Sequence, residues 1–521
     1  MSRIRFTRTQ QSGLVVLLFL FASAIPGLSA ANDKLVIAHY MTDMVPQTDR
    51  KLNRWLDPEL ADPKGSTAEL GGLSQTVPMA ALQLKNADLS EAVDFEIAAA
   101  RKLGIDGFQF YYPLVDITPV LAKRYNQIIG EFLKQSESKH AGFKISLCLA
   151  HPSTAKQTTQ AQRIALWSPS IRSLTEAHTD SSAWLRTADG SLLFYLWVGD
   201  ALANGVDHLA QSPAQIRQVA DAYKQLASAV GQSIEYVYQV RRKQIDQAYI
   251  DSVTEHFHAV WGWTASEEDV AFWNRLADRC HVNGCQYTQT VYADYYTSKV
   301  YAKGSAGHSI LSTQQALDAE IDGIERHYRV TDLSKTQTQL LQQAIKRDAS
   351  IINIATWNDY PEGHHFAPEV NHRFGNSILL HHFKRQWQTG STVVPRDQAI
   401  VFYKRYRHDV VPKFNVPLKI KSHNKDVASE DQIELVTLLT APANCFMNNQ
   451  AMGKTPAGYH VHRIPSEPGP VRVKVVRANK TVIEFQSPVE ITSAPLRTNR
   501  LTQSYSSDHE TIRTALGWPE S

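Results

Sequence analysis

The sequence IINIATWNDYPEGHH, residues 351–365, joins an apolar run to a cluster of polar and aromatic side chains. Residues 351–355 have the length and composition of a strand that is buried on both faces. In a parallel β-barrel the active site lies at the carboxyl-terminal ends of such strands. This stretch therefore predicts a buried parallel strand with a functional site directly after it.

Seven further apolar runs precede this strand, and amphipathic segments separate them. The alternation is typical of repeated βα units, and eight repeats over about 350 residues predict a (β/α)8 TIM barrel with insertions. A doubly wound open sheet is the alternative, but no glycine-rich phosphate loop follows the first strand. The predicted strands are residues 35–39, 107–111, 144–149, 192–197, 234–238, 257–261, 286–290 and 351–355.

The barrel is predicted to cover residues 32–390, because the composition changes after that point. Short β-branched runs separated by turn residues predict a C-terminal β-sandwich over residues 391–498. Residues 499–521 are polar and are predicted to be a loosely held tail. The predicted sandwich strands are residues 399–405, 432–439, 471–476 and 481–485.

The amino terminus has the pattern of a secretory signal peptide over residues 1–31. Three arginines precede the apolar stretch 14–24, and small side chains follow at 29–31. About 11 apolar residues are too few to span a bilayer, which needs roughly 20. We therefore expect a secreted protein, extracellular or periplasmic, with no membrane association after cleavage.

Net charge bears on the class of binding partner, and cysteine content bears on disulfide bonding. A net charge of +3 without long basic runs gives no support to a nucleic-acid partner, and it is compatible with a neutral polymer or a small molecule. Separately, we expect a monomeric chain. Four cysteines are too few for a disulfide scaffold. Cys148 lies in a predicted strand and should be a buried free thiol. A bond between Cys280 and Cys285 is left open.

The ends of the predicted barrel strands carry aromatic, imidazole and carboxylate side chains. One aromatic residue at a strand end more often packs in the core, but their convergence on one rim favours a carbohydrate site. Saccharides bind aromatic faces that lie beside hydrogen-bonding groups. Besides the residues of the stretch 357–365, the set comprises His39, Tyr40, Tyr111, Tyr112, His151, Trp197, Asp200, Trp261, Trp263, Tyr292 and Asp294.

Asp359 and Glu362 offer the two carboxylates that cleavage of a glycosidic bond requires. Such a D-x-x-E pair is more often a solvated helix face, but Pro361 between them disfavours a regular helix. An extended three-residue step spans about 10 Å between Cα atoms. That distance favours the wide carboxylate separation of inverting glycosidases over the short separation of retaining ones.

These motifs resemble those of glycoside hydrolase family 71, the secreted α-1,3-glucanases also called mutanases. The similarity lies in residues 36–41 (VIAHYM), 104–108 (GIDGF), 355–362 (ATWNDYPE) and 435–443 (LVTLLTAPA), and therefore spans both predicted domains. The resemblance implies inverting endo-hydrolysis of α-1,3-glucan on a barrel, without metal or cofactor. It also implies that Asp359 and Glu362 are the catalytic carboxylates.

Within this resemblance we assign Glu362 as general acid and Asp359 as the base that activates water, with the reverse assignment open. His39, Trp357, Asn358 and His364 are expected to contact the sugar. The other rim residues of the substrate-binding prediction are Tyr40, Tyr111, His151, Trp197, Asp200, Trp261 and Trp263.

The chain departs from the family pattern at three positions. Pro361 and Gly363 stand where the family commonly has Gly and Ser, and His151 follows the third strand where the family usually has an aspartate. Subsite residues set the linkage and can change on an unchanged barrel.

Three alternative functions remain open. The first is a hydrolase of another α-linked glucan or of a mannoside, and the second is a non-catalytic carbohydrate-binding protein on the same fold. The third is a metallohydrolase built from His39, His151, His364 and His365, which show no recognisable ligand spacing.

Overall fold

Eight parallel strands close into a barrel in the computed structural model of the protein, which confirms the predicted fold class. The last barrel strand pairs with the first, Leu35 opposite Ile351, and so closes the ring. Two short strands, β8 and β9, lie outside the barrel between its seventh and eighth members. In chain order the strands are β1 (Leu35–Tyr40), β2 (Gly107–Pro113), β3 (Lys144–Ala150), β4 (Leu192–Trp197), β5 (Ile234–Gln239), β6 (Ala259–Trp261), β7 (Gln286–Val291), β8 (Tyr301–Ala302), β9 (Ile324–Tyr328) and β10 (Ile351–Ile354).

The structure describes residues 34–46, 64–72, 76–80, 84, 87–114, 118–152, 158–206, 209–241, 246–305 and 310–518. The predicted signal peptide, residues 1–31, lies outside these ranges. None of the helices in the described ranges has the length and apolar character needed to cross a membrane.

The helices carry clear sequence signals at their ends. Asp88 and Glu91 form a capping box at the start of α1, and Gly231 ends α4 in the left-handed region. The helices are α1 (Leu89–Lys102), α2 (Pro119–Ser138), α3 (Gln160–Ala177), α4 (Pro213–Val230), α5 (Gln247–His256), α6 (Val270–Asn283), α7 (Thr313–Asp318), α8 (Lys335–Lys346), α9 (Gly375–Thr389) and α10 (His509–Ala515).

Barrel strands place alternate side chains on opposite faces. In β1, Val36, Ala38 and Tyr40 belong to the large core that includes the helix side chains. Ile37 belongs instead to a second cluster, which also includes Cys148, Tyr195 and Trp261 from other strands and fills the barrel interior. This alternation decides which strand-end residues face the site and which face the helices.

The C-terminal strands form two four-stranded antiparallel sheets packed face to face, as predicted for a β-sandwich. Ala399, Val401 and Tyr403 of β11 share a core with residues of the second sheet. Ile400 and Phe402, on the other face of β11, pack against α9 of the barrel. The strands are β11 (Gln398–Lys404), β12 (Leu418–Ile420), β13 (Gln432–Leu439), β14 (Ala443–Met447), β15 (Gln450–Thr455), β16 (Gly458–Pro465), β17 (Arg472–Arg477), β18 (Lys480–Gln486) and β19 (Thr502–Ser506).

The prediction of a loose tail at residues 499–521 is wrong. Strand β19 pairs antiparallel with β11 along its whole length, and Trp518 after α10 stacks on Phe374. The polar side chains misled the prediction, because several of them are buried and hydrogen-bonded. Arg500, for example, donates to the backbone carbonyl of Tyr406.

Two smaller features complete the fold. Strand β12 pairs with β9, which itself pairs with β8, so a three-stranded sheet joins the β7–β10 connection to the C-terminal region. All four cysteines are free and buried. This agrees with the prediction of a buried free thiol at Cys148. Cys280 and Cys285, whose pairing the sequence left open, are both free thiols.

Candidate active site

The two predicted carboxylates lie on one tight turn. Asp359 caps a single 3-10 turn, Tyr360–Glu362, and its side chain accepts a hydrogen bond from the backbone N–H of Glu362. Gly363 then reverses the chain at a φ of 70°. The extended geometry expected around Pro361 is therefore wrong, because proline also fits the first turn of a helix.

Backbone hydrogen bonds fasten this turn to the rim of the barrel. The N–H of Trp357 donates to the carbonyl of His39 at 2.7 Å. The Asn358 side chain accepts from the N–H of Met41 at 2.7 Å, which ties the turn to the end of β1. Asn358 is thus used for positioning, and the structure gives it no free face toward a sugar.

His364 bridges the two carboxylates. Its Nε2 lies 3.2 Å from Oε2 of Glu362 and 3.8 Å from Oδ2 of Asp359. One oxygen of each carboxylate and a nitrogen of His364 all lie within 4.8 Å of one another. The nearest oxygens of the two carboxylates are therefore closer than the roughly 6.5–9.5 Å between the carboxyl groups of inverting glycosidases, and a 3-10 turn replaces the extended step inferred from the sequence.

Lys299 gives the two carboxylates different electrostatic environments. Its Nζ lies 2.8 Å from Oε1 of Glu362. Burial opposes ionisation of Glu362, but the charge of Lys299 and the hydrogen bond from His364 hold the pKa of this carboxyl well below its usual range. Burial and the neighbouring Glu362 raise the pKa of Asp359. Of the two carboxyls, Asp359 therefore holds its proton to the higher pH, and Glu362 is the one that ionises first.

Aromatic and imidazole rings form a wall beside this pair. The rings of His39 and Trp263 lie 5.0 Å apart, and Trp263 also contacts His364 at 5.9 Å. Tyr111 and His151 both contact Trp197, at 5.8 Å and 4.6 Å. The structure thus brings together His39, Tyr111, His151, Trp197, Trp263 and His364 on one side of the carboxylates.

His39 is a neutral member of this wall. Burial and the nearby His364 lower the pKa of His39 to about 3. A neutral imidazole both donates and accepts a hydrogen bond. Nδ1 of His39 and Nδ1 of His364 are buried and have no hydrogen-bond partner in the described part of the chain.

Four predicted substrate-binding residues lie elsewhere. Tyr40 and Trp357 are buried in the core that includes the helix side chains, and the indole N–H of Trp357 donates to Glu96. Trp261 is buried in the barrel interior, where its ring lies edge-on to Trp263. Asp200 accepts hydrogen bonds from Ala210 and Tyr238. The structure packs all four side chains against other parts of the protein, so it gives no support to the prediction that they contact substrate.

Lys299 and Tyr295 belong to the site but were not predicted. The ring of Tyr295 stacks on His364 with centroids 5.5 Å apart. Both residues follow β7, and the N–H groups of Ser298 and Lys299 donate to the carbonyl of Pro361. Their position after a barrel strand was the available signal, but nothing in the local sequence links Lys299 to Glu362.

Three groups in the described residues could hold a metal ion by their spacing. One is the carboxylate pair Asp359 and Glu362 with His364, and another consists of exposed His408 and Asp409 with buried Asp431. The third is fully buried and consists of His365, Glu369 and His372. In the first group, Glu362 already has a cation beside it in Lys299.

A family model for glycosyl hydrolase family 71 matches residues 83–506. The chain belongs to glycosyl hydrolase family 71. The matched range includes the 3-10 turn with both carboxylates, Lys299 and most of the aromatic wall, and it extends through β19. As a family 71 protein the chain is a glycoside hydrolase. No curated protein matches it significantly.

Solved structures are similar to the chain only at low identity and low TM-score. The GH99 endo-α-mannosidase of Bacteroides thetaiotaomicron is 12% identical with a TM-score of 0.44, over 68% of this chain and 99% of that chain. A glycosyl hydrolase family 2 member from Bacteroides cellulosilyticus is 12% identical with a TM-score of 0.38, over 78% of this chain and 44% of that chain. Such distant likeness carries no information on the substrate of the family 71 chain.

Proposed function

We propose that this family 71 hydrolase is a secreted endo-α-1,3-glucanase that inverts the anomeric centre. The observation that carries the catalytic part is the pair Asp359 and Glu362, which lie on one turn in opposite electrostatic environments. The linkage rests on the resemblance of the sequence to α-1,3-glucanases, and secretion rests on the signal-peptide pattern of residues 1–31. We further propose a monomer that acts on an α-glucan polymer.

The electrostatics favour Asp359 as the general acid and Glu362 as the base. An acid must hold a proton at the working pH, and the raised pKa of Asp359 supplies that proton. A base must be ionised, and Lys299 keeps Glu362 ionised. This is the reverse of the assignment that we made from the sequence.

The aromatic wall supplies sugar contacts. Trp197, Trp263 and Tyr111 are only partly buried, so each keeps some ring surface for a sugar face. The buried Nδ1 atoms of His39 and His364 have no partner in the described part of the chain, and hydrogen bonds to sugar hydroxyls would satisfy them. A glucan chain lying along this wall brings a glycosidic bond to the carboxylate pair.

The test is reducing-sugar release from α-1,3-, α-1,4-, α-1,6- and β-1,3-glucans by the full chain and by Asp359→Asn and Glu362→Gln. We expect release from α-1,3-glucan alone, reduced by about two orders of magnitude or more in each variant. Asp409→Asn, at an exposed carboxylate, is the matched control and should be fully active.

Release from a different α-linked glucan would keep the hydrolase and replace the linkage. Binding of a glucan without release from any polymer would replace the enzyme with a carbohydrate-binding protein. Full activity in both carboxylate variants would remove Asp359 and Glu362 from the chemistry.

A further inference from the structure

A second cluster of ionisable side chains lies directly behind the catalytic turn. Nδ1 of His372 lies 3.1 Å from Nε2 of His365 and 3.3 Å from Oε1 of Glu369. Nε2 of His365 lies 3.8 Å from the same oxygen of Glu369. At most 3% of any of these three side chains is exposed, so bulk water does not solvate their polar atoms.

These separations match those of a metal site. In a tetrahedral zinc site the bonds are about 2.0–2.2 Å long, so neighbouring ligand atoms lie about 3.4 Å apart. Three atoms at the observed separations can all lie about 2.0 Å from one common point. Two imidazole nitrogens with one carboxylate oxygen form a common zinc ligand set.

We propose that His365, Glu369 and His372 bind one divalent transition-metal ion, zinc in the first place, behind the catalytic turn. The proposal is independent of which polysaccharide the enzyme cleaves. Since the ion lies behind the turn and the reacting carboxylates pair with Lys299, its role is to position the turn, and it takes no part in the cleavage.

The surroundings of the cluster resemble the outer contacts of metal sites. A histidine that binds a metal almost always donates its other ring N–H to a carboxylate or carbonyl. Nε2 of His372 lies 3.0 Å from Oδ2 of Asp294. The other oxygen of Glu369 accepts from the N–H and the side-chain amide of Asn371. Nδ1 of His365 has no such partner among the described residues. Of the two histidines, His372 is therefore the one whose second ring nitrogen contacts a carboxylate.

Asp294 is itself held by the C-terminal domain. It accepts from the backbone N–H of Thr502 in β19 at 2.7 Å, and Nζ of Lys404 in β11 lies 3.8 Å from its other oxygen. The proposed ion would therefore connect the catalytic turn, through His372 and Asp294, to the sandwich. His365 follows His364 directly, so the ion would also fix the residue that bridges the two carboxylates.

A protonated His372 is the other arrangement that satisfies these atoms. It would donate from Nδ1 toward Glu369 and from Nε2 to Asp294, and its charge together with Lys404 would balance the two carboxylates. A metal ion would replace the Nδ1 proton of His372, because a ligating imidazole nitrogen must be free of its proton. The two arrangements differ in metal content, which is measured directly.

The test measures zinc in the full-length chain, purified without a polyhistidine tag, by mass spectrometry of the metal. We expect about one zinc ion per chain, as in a single three-ligand site. The ion should fall to about a tenth or less in His365→Gln and in His372→Gln, because each loses one of three ligands. Calorimetric titration of Zn²⁺ into the chelator-stripped wild-type chain should restore one site, which avoids any dependence on how the variants fold.

Two control variants separate this site from the other groups. Asp409→Asn removes a ligand of the exposed group near His408, and Glu362→Gln removes one from the catalytic group. Both should keep the full zinc content. Zinc that is lost in Glu362→Gln but kept in His372→Gln would place the ion at the catalytic carboxylates and overturn the proposal. A wild-type chain that takes up no zinc in the titration would assign the cluster to a protonated His372.

Discussion

Among single residues, Lys299 favours the ionised form of both carboxylates of the proposed catalytic pair, Asp359 and Glu362. It is the cation in direct contact with Glu362, and its charge also opposes the rise in the pKa of Asp359. Opposite charges in a mostly buried site favour the ionised carboxylate strongly. One lysine therefore affects both the group that must lose its proton and the group that must keep it.

Removing this charge should move the whole pH–rate profile upward. In Lys299→Met the pKa of Glu362 rises, so the acid limb moves to higher pH. The pKa of Asp359 rises as well, so the basic limb, where the acid loses its proton, also moves to higher pH. We expect shifts of about one to two pH units, measured as kcat/KM against pH on the glucan that the enzyme cleaves.

Two control variants test the origin of that shift. Lys299→Arg keeps the charge and should keep both limbs near their wild-type positions, and Lys303→Met, at an exposed lysine, should change neither. A lower rate with unmoved limbs in Lys299→Met would mean that Lys299 only positions Glu362.

Gly363 is required by its surroundings as well as by its backbone angle. A Cβ at this position would lie 2.0 Å from the carbonyl oxygen of Tyr296, at a φ of 70°. Gly390 has the same φ, but no atom lies within 4 Å of its added Cβ. The two positions therefore separate the cost of the left-handed angle from the cost of the clash.

Gly390→Ala should lower the free energy of unfolding by about 1–2 kcal/mol, the strain of a left-handed alanine. Gly363→Ala should lower it further and should reduce activity by at least about tenfold, because a misplacement of about 1 Å at the catalytic turn is costly. Urea unfolding and glucan hydrolysis measure both effects. Equal effects of the two variants on activity would show that the contact with Tyr296 is unimportant.

Among the elements, the barrel strands were predictable because both of their faces are buried. Apolar runs such as residues 144–149 mark them without any knowledge of their partners. Strands β8 and β12 have only two and three residues, and β12 pairs with β9, which lies in a distant part of the chain. No local pattern could have indicated them.

The alternation of side chains along a strand predicts which residues at a strand end face the site. His39 faces the site, so its neighbour Tyr40 faces the helices, and that conclusion was available from the two-residue period of a strand. Lys299 was not predictable, because only the folded loop after β7 brings it to Glu362. The 3-10 turn was missed because Pro361 is compatible with both an extended chain and a helical first turn.

The 3-10 turn Tyr360–Glu362 sets the distance between the two carboxylates, and the stereochemistry of the reaction depends on that distance. The turn brings one oxygen of each carboxylate within 4.8 Å of the other and of His364, so the pair is closer than the two carboxyl groups of typical inverting glycosidases. Retaining glycosidases use a separation of about 5–5.5 Å. Inversion now rests on the family resemblance, with the water on the exposed side of Glu362, whose side chain is 29% exposed.

We expect the β-anomer to appear first when α-1,3-glucan is cleaved, because inversion converts an α-linkage into a β-hemiacetal. Proton NMR in the first minutes of the reaction, before mutarotation, measures the anomers. Glu362→Gln under the same conditions is the blank. If the α-anomer appears first, the short separation is the working distance and the enzyme retains configuration.

At the scale of the whole molecule, the C-terminal sandwich packs against the barrel and shares part of its apolar core. Ile378 and Leu379 of α9 pack against Val436 and Leu438 of β13. Tyr296, which follows β7, shares a small core with Leu501 and donates its hydroxyl to the carbonyl of Thr498. These contacts make the C-terminal domain part of the enzyme's folding unit, and a separate role as a binding module has no support from them.

The barrel without this domain should therefore fail to fold. A chain that ends at residue 390 would expose the apolar face of α9 and leave Asp294 buried without Thr502 and Lys404. Exposed apolar patches of this kind lead to aggregation, and an unpaired buried carboxylate costs several kcal/mol. We expect the truncated chain to be insoluble or to lack a cooperative thermal transition in circular dichroism. Co-expression of residues 391–521 as a separate chain should recover soluble, active enzyme, because the missing contacts are then supplied. A barrel that is soluble, cooperative and active by itself would show that the sandwich is dispensable for the fold.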